Sequence, residues 1–163
     1  MKKLGFGLMR LPKKGPFTDI EQTKKMVDAF LDAGFTYFDT AYVYLGSEAA
    51  AKKALVSRYD RSAFTLATKV NAAVAPSEKA ARKQLATSLE RTGAGYFDYY
   101  LLHAIMENNY KKYEKFHLWD FAAEQKERGV LKHIGFSFHA GPQLLDQICL
   151  LYTSPSPRDT ERS

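Results

Sequence analysis

Two kinds of segment alternate along the chain. Short runs rich in apolar, β-branched and aromatic residues occupy positions 4–10, 36–41, 64–70, 96–103 and 133–139. Segments of that length, mostly apolar on both faces, suit strands buried in a parallel sheet. Between them lie amphipathic stretches with helix punctuation. Thr18-Asp19-Ile20-Glu21 has the form of a capping box with Thr18 as the cap; Ile20, Val27, Phe30 and Leu31 then share a face, and Gly34 supplies a stop. A second helix is expected from Ser77 to Gly93, with Ala81, Leu85 and Leu89 along one side. A third is expected over about 110–129, where Trp119, Ala122 and Ala123 recur at helical spacing. Gly141-Pro142 opens a fourth, since proline is tolerated where a first-turn amide has no partner.

Strands and helices in alternation, joined by short connections, imply right-handed βαβ units and an α/β fold. Two architectures share that pattern, the open doubly wound sheet and the (β/α)8 barrel. The first usually carries a glycine-rich turn after its first strand. Here that turn is Leu11-Pro12-Lys13-Lys14-Gly15-Pro16, which lacks the fingerprint.

The chain's 163 residues, 45% of them hydrophobic, suit one globular domain. Its apolar runs fall short of the ~20 residues that span a bilayer. The apolar run at the amino terminus stops at Arg10, before the ~7–15 residues of a secretory core are complete. A single cysteine, Cys149, agrees with a reducing compartment, and a cytoplasmic location is expected. The net charge of +6 raises the question of nucleic acid. Its basic pairs, such as Lys24-Lys25 and Lys111-Lys112, are spread along the chain and mixed with acids, as on solvated helices. Neither nucleic acid nor membrane is an expected partner.

In parallel α/β folds, ligands sit at the carboxyl ends of strands. Asp39 ends the second expected strand, Lys69 the third, His103 the fourth, and Ser137 with His139 the fifth, each about one βα unit apart. Tyr44 follows Asp39 by five residues, on the loop over the same mouth. The types form a chemical set. A lysine cation beside a tyrosine hydroxyl makes the phenol a better proton donor, a carboxylate holds that lysine charged, and an imidazole can steer the group receiving the proton. Each residue also has a plainer reading: a buried ion pair, one of ten tyrosines, a satisfied core histidine, a strand cap. Their convergence on one end of consecutive strands favours the chemical one.

Phe38-Asp39-Thr40-Ala41-Tyr42-Val43-Tyr44 with Gly46-Ser47-Glu48, then Ala67-Thr68-Lys69, Asp98-Tyr99-Tyr100-Leu101-Leu102-His103, and Gly129-Val130-Leu131-Lys132-His133-Ile134-Gly135-Phe136-Ser137 resemble the aldo/keto reductase family. The likeness runs from about Leu4 to Ile148 and is closest to the bacterial branch that often carries an iron–sulfur extension. It implies a (β/α)8 barrel and NAD(P)H-dependent reduction of a small aldehyde or ketone. Asp39, Tyr44, Lys69 and His103 match the family's catalytic tetrad, with Tyr44 as proton donor. The implied cofactor is NADPH, with NADH as the other form, bound without a Rossmann domain through Leu8, Met9, Arg10, Asp39, Ser137 and His139; no metal is implied. Many members have Ser-Asn where this chain has Ser137-Phe138, and His139 is the substitute for the missing carboxamide. The reading from another class is a noncatalytic binding or regulatory module on the same barrel, against which the intact tetrad weighs.

Eight units need about 250 residues, and five strands are legible. The expectation is therefore an incomplete barrel over 1–148, a truncated and weakly active or inactive portion of a reductase, with open sheet edges that invite self-association. The residues from Cys149 to Ser163 hold two prolines and many hydroxyls, with no apolar period after Tyr152. They are expected to be a disordered tail unrelated to the barrel, with the look of a sequencing or vector artefact.

Overall fold

The computed structural model describes residues 3–153. Strand β1 (Gly5–Gly7) is followed by a small antiparallel hairpin of β2 (Lys13–Lys14) and β3 (Phe17–Thr18), then helix α1 (Ile20–Asp32) and β4 (Tyr37–Asp39). Helix α2 (Ser47–Ala51) runs on into a π-helical turn at Lys52–Val56 and leads to β5 (Thr65–Val70). Then come α3 (Glu78–Thr92), β6 (Phe97–Ile105), α4 (Tyr110–Lys115), α5 (Leu118–Glu127), β7 (Leu131–Phe138) and α6 (Pro142–Thr153). The main sheet has the order β1-β4-β5-β6-β7, and every pairing is parallel. Strands that follow one another in space as they do in the chain, with helices between, make this a partial (β/α)8 barrel, the one of the two open architectures that the resemblance implies.

Strand alternation divides the sheet into two faces. Phe38, Leu66, Tyr100 and Leu102 are buried and belong to one core with Val27 of α1, Leu55, Ala81 and Leu85 of α3, Ala122 of α5 and Leu144 of α6. On the other face, register aligns Asp39 with Ala67, Tyr99 and His133, and one step further Lys69 with Leu101 and Gly135. There Tyr37 packs edge-on to Tyr99, and Tyr99 stacks on His133. At the amino ends of the strands Asp98 accepts from the Leu66 amide, from Arg61 at 2.6 Å and from Lys132 at 3.0 Å. Burial pushes this carboxyl up, but those three donors outweigh it and hold it below the usual range.

The structure corrects several local expectations. The α1 cap is Asp19, which accepts from the Gln22 amide at 2.9 Å; Thr18 is instead paired with Lys13 in the hairpin. The hairpin and α2 were not expected. The helix expected over 110–129 is two helices, divided at His117 with φ 48°. Its buried positions explain the break: Tyr113 and Phe116 fit one helical phase, Leu118, Phe121 and Ala122 another, and a straight helix could not bury both. Strands β1 and β4 have three residues each, although Leu8 still donates to the Asp39 carbonyl and Thr40 to that of Ala67. Helix α6 runs to Thr153, and residues 154–163 of the expected tail lie outside the described residues. Among the described residues no helix is long and apolar enough to cross a membrane.

Candidate active site

The register of β4, β5 and β6 builds the site. Asp39 closes β4 opposite Ala67; Lys69 lies two residues beyond Ala67, on the same face, and His103 two beyond Leu101, the partner of Lys69. The Lys69 ammonium is buried and has three acceptors within reach: Asp39 Oδ1 at 2.5 Å, the Thr40 carbonyl at 2.8 Å and the Tyr44 hydroxyl oxygen at 3.5 Å. An ammonium has three protons to donate and is costly to bury without partners for them, so this arrangement fixes the Lys69 head. The half-buried Tyr44 ring also offers its face, with Nζ 4.8 Å from the centroid.

His103 closes the cluster from β6. Its ring meets Tyr44 edge to face, centroids 5.5 Å apart. Burial first, and the Lys69 charge second, push its imidazole down to about 4, so His103 is neutral at physiological pH. Its buried Nδ1 has no hydrogen-bond partner. The backbone around it is irregular: the β6–β7 register slips between Leu102 and Ile105, and Ala104 adopts φ 52°, unusual for a residue with a Cβ. That turn is held by Ser137 Oγ, which accepts from the Ala104 amide at 2.6 Å, and by Asn109 Nδ2, which donates to the Ala104 carbonyl at 2.8 Å. The Tyr113 hydroxyl donates to the His103 carbonyl. The irregularity falls inside β6, which runs on to Ile105 and pairs again with Phe138, so His103 sits within the bulged stretch near the carboxyl end of the strand.

Asp39, Tyr44, Lys69 and His103 are thus brought together. The residues read as cofactor contacts divide. The Leu8 side chain is in the core, and its amide adjoins Asp39 through the bond to the Asp39 carbonyl. Met9 and Arg10 are exposed just beyond β1, and Ser137 joins the cluster through the Ala104 turn. His139 is exposed beyond β7, its amide bonded to the Ile105 carbonyl. Sequence reasoning missed the support behind the site: Glu48 with Thr68 and Arg91, and Asn109 with Tyr113. Glu48 stood in a quoted motif, but no periodicity links it to an arginine 43 residues away.

A model of the Aldo/keto reductase family matches residues 3–157. An aldo-keto reductase of Mycolicibacterium smegmatis is 31% identical over 151 residues, which are 90% of this chain and 50% of that protein. One from a Mycobacterium species, strain MCS, is 32% identical over 144 residues, covering 86% of this chain and 48% of the relative. The chain spans about half the length of the curated relatives it matches. Among solved structures, AKR11C1 from Bacillus halodurans, in its holo form, superposes with a TM-score of 0.71 at 27% identity over 91% of this chain and 49% of that one. An aldo-keto reductase from Klebsiella pneumoniae in complex with NADPH shares the fold, with a TM-score of 0.65 at 23% identity over 81% and 44% of the two chains.

Proposed function

The chain belongs to the aldo/keto reductase family, and we propose that it carries the catalytic half of an NAD(P)H-dependent reductase that turns a small aldehyde or ketone into an alcohol. The observation that carries this reading is the Lys69 ammonium shared between Asp39 and the Tyr44 hydroxyl. The residues present fit the reacting end of a nicotinamide cofactor. His103 Nδ1 is buried without a partner, Ser137 still has its hydroxyl proton to donate, and a Cβ built on Gly7, opposite Asp39, would meet nothing within 4 Å. Leu8, Met9, Arg10, Asp39, Ser137 and His139 would hold that end, Leu8 through its backbone. A bound nicotinamide would supply the hydride that adds to the carbonyl carbon.

The remaining work belongs to the side chains. As negative charge gathers on the carbonyl oxygen, Tyr44 gives it the phenolic proton. Lys69, beside the phenol oxygen, stabilises the phenolate left behind, and Asp39 keeps Lys69 in place. Neutral His103 orients the carbonyl by a hydrogen bond and leaves the acid's role to Tyr44. With the sheet open at β1 and β7 among the described residues, turnover by the chain as it stands is expected to be weak. The test is deuterium transfer: the chain, a carbonyl probe such as a nitrobenzaldehyde, and NADPH deuterated at the transferring position of C4. Deuterium on the carbinol carbon above the protein-free control is the expected result, and none above that control contradicts the proposal.

A further inference from the structure

The Tyr44 loop is held from behind by a buried carboxylate. Glu48, in the first turn of α2, is 2% exposed, and a carboxylate so placed needs partners for its oxygens. Both have one: Oε1 accepts from Thr68 Oγ1 at 2.9 Å and Oε2 from Arg91 Nη1 at 3.3 Å. Thr68 is the neighbour of Lys69 in β5. Arg91, in the last turn of α3, uses the same Nη1 to donate to the Tyr42 carbonyl at 3.2 Å and lays its guanidinium over the Tyr42 ring, 4.7 Å from the centroid. Tyr42 lies two residues before Tyr44, and its amide donates to the Lys69 carbonyl. The two ends of the loop are tied by the Thr40 and Ser47 hydroxyls, 2.6 Å apart and buried.

Glu48 therefore links the strand that carries Lys69 to the arginine that grips the loop carrying Tyr44. Burying the Glu48 carboxylate against a half-exposed arginine carries a desolvation cost that an apolar side chain at this position would avoid, so stability alone gives little reason for it. The contact it backs is also sensitive to small movements: Lys69 and the Tyr44 oxygen are 3.5 Å apart, at the outer limit of a hydrogen bond. We infer that Glu48 and Arg91 are positioning residues that set the approach of the Tyr44 hydroxyl to Lys69. The consequence for turnover rests on the reductase reading; the geometry does not.

The test uses the full chain with 13C-labelled tyrosine, the Tyr44 resonance being assigned by its loss in Tyr44→Phe. Glu48 is buried and its replacement endangers folding, so the variants are Arg91→Met and Arg91→Lys, at a side chain that is 45% exposed. Tyr59, bonded to Asp28 on α1, serves as the reference ring. The Tyr44 resonance is expected to shift in Arg91→Met and to return part of the way in Arg91→Lys, with Tyr59 unmoved. If turnover is measurable, kcat for the carbonyl probe should fall about ten- to a hundredfold in Arg91→Met with KM little changed. A Tyr44 resonance unmoved in Arg91→Met, or one that moves together with Tyr59 in both variants, overturns the inference. Absence of wild-type turnover while the Tyr44 resonance still follows Arg91 defeats the reductase reading and leaves the positioning role standing.

Discussion

The Lys69 ammonium and the Asp39 carboxylate meet at 2.5 Å across two adjacent parallel strands, although 30 residues separate them in the chain. Parallel register makes the meeting possible: Asp39 pairs with Ala67, so Lys69, two positions on, projects from the same face one step toward the carboxyl ends. The pair should be energetically coupled. In urea denaturation of wild type, Asp39→Asn, Lys69→Met and the double variant, a coupling of about 1–3 kcal/mol is expected, because each single change strands a partly buried charge. A double variant whose loss equals the sum of the single losses within about 0.3 kcal/mol would show the two groups to be independent.

His103 gives the stability a defined pH dependence. Its pKa is about 4 in the fold against 6.5 as the ordinary value, so between those limits the unfolded chain binds the extra proton. Its contribution is therefore fully present above pH 6.5 and lost as pH falls through 4. Urea midpoints at pH 7, 5.5 and 4 should fall more steeply for wild type than for His103→Gln. Parallel pH profiles for the two proteins would contradict the assignment of a neutral, desolvated imidazole.

Asp98 should matter for folding and not for chemistry. Removing it leaves the Leu66 amide without its acceptor and frees Arg61 and Lys132 from their shared carboxylate at the amino ends of the strands. Asp98→Ala is expected to cost about 2–4 kcal/mol in chemical denaturation. A loss below about 1 kcal/mol would mean that water replaces these partners freely.

The alternation of apolar runs and capped amphipathic stretches was enough to read the parallel sheet, and strand-end position was enough to predict that Asp39, Lys69 and His103 lie near one another. Local competition decided what that reading missed. Thr18 looked like a cap, but pairing with Lys13 took it into a hairpin and passed the role to Asp19. His117 was hidden inside an apparent helix because the phase change between Phe116 and Leu118 is visible only once burial is known. Ser137 was chosen for its place at a strand end; that its oxygen holds the Ala104 turn follows from a bulge that no pattern announces. Glu48 and Arg91 lie on different helices, so only the fold brings them together.

The open sheet should show itself in solution. Among the described residues, β1 and β7 each pair on one side only, and unpaired strand edges recruit other chains. Light scattering during gel filtration is expected to give a mass that rises with protein concentration. A constant mass near the monomer's 18.5 kDa, together with a single cooperative thermal transition, would contradict it.

The most direct test of the central claim is the dependence of nicotinamide oxidation on the Tyr44 hydroxyl. With the chain in excess over NADPH and an aldehyde present, absorbance at the nicotinamide band should decay slowly above the protein-free control. Tyr44→Phe should lower that rate by about 10²–10⁴, the usual contribution of a positioned acid, while leaving the far-ultraviolet circular dichroism unchanged. Equal rates in wild type and Tyr44→Phe would contradict Tyr44 as the proton donor, and with it the role assigned to Lys69 and Asp39.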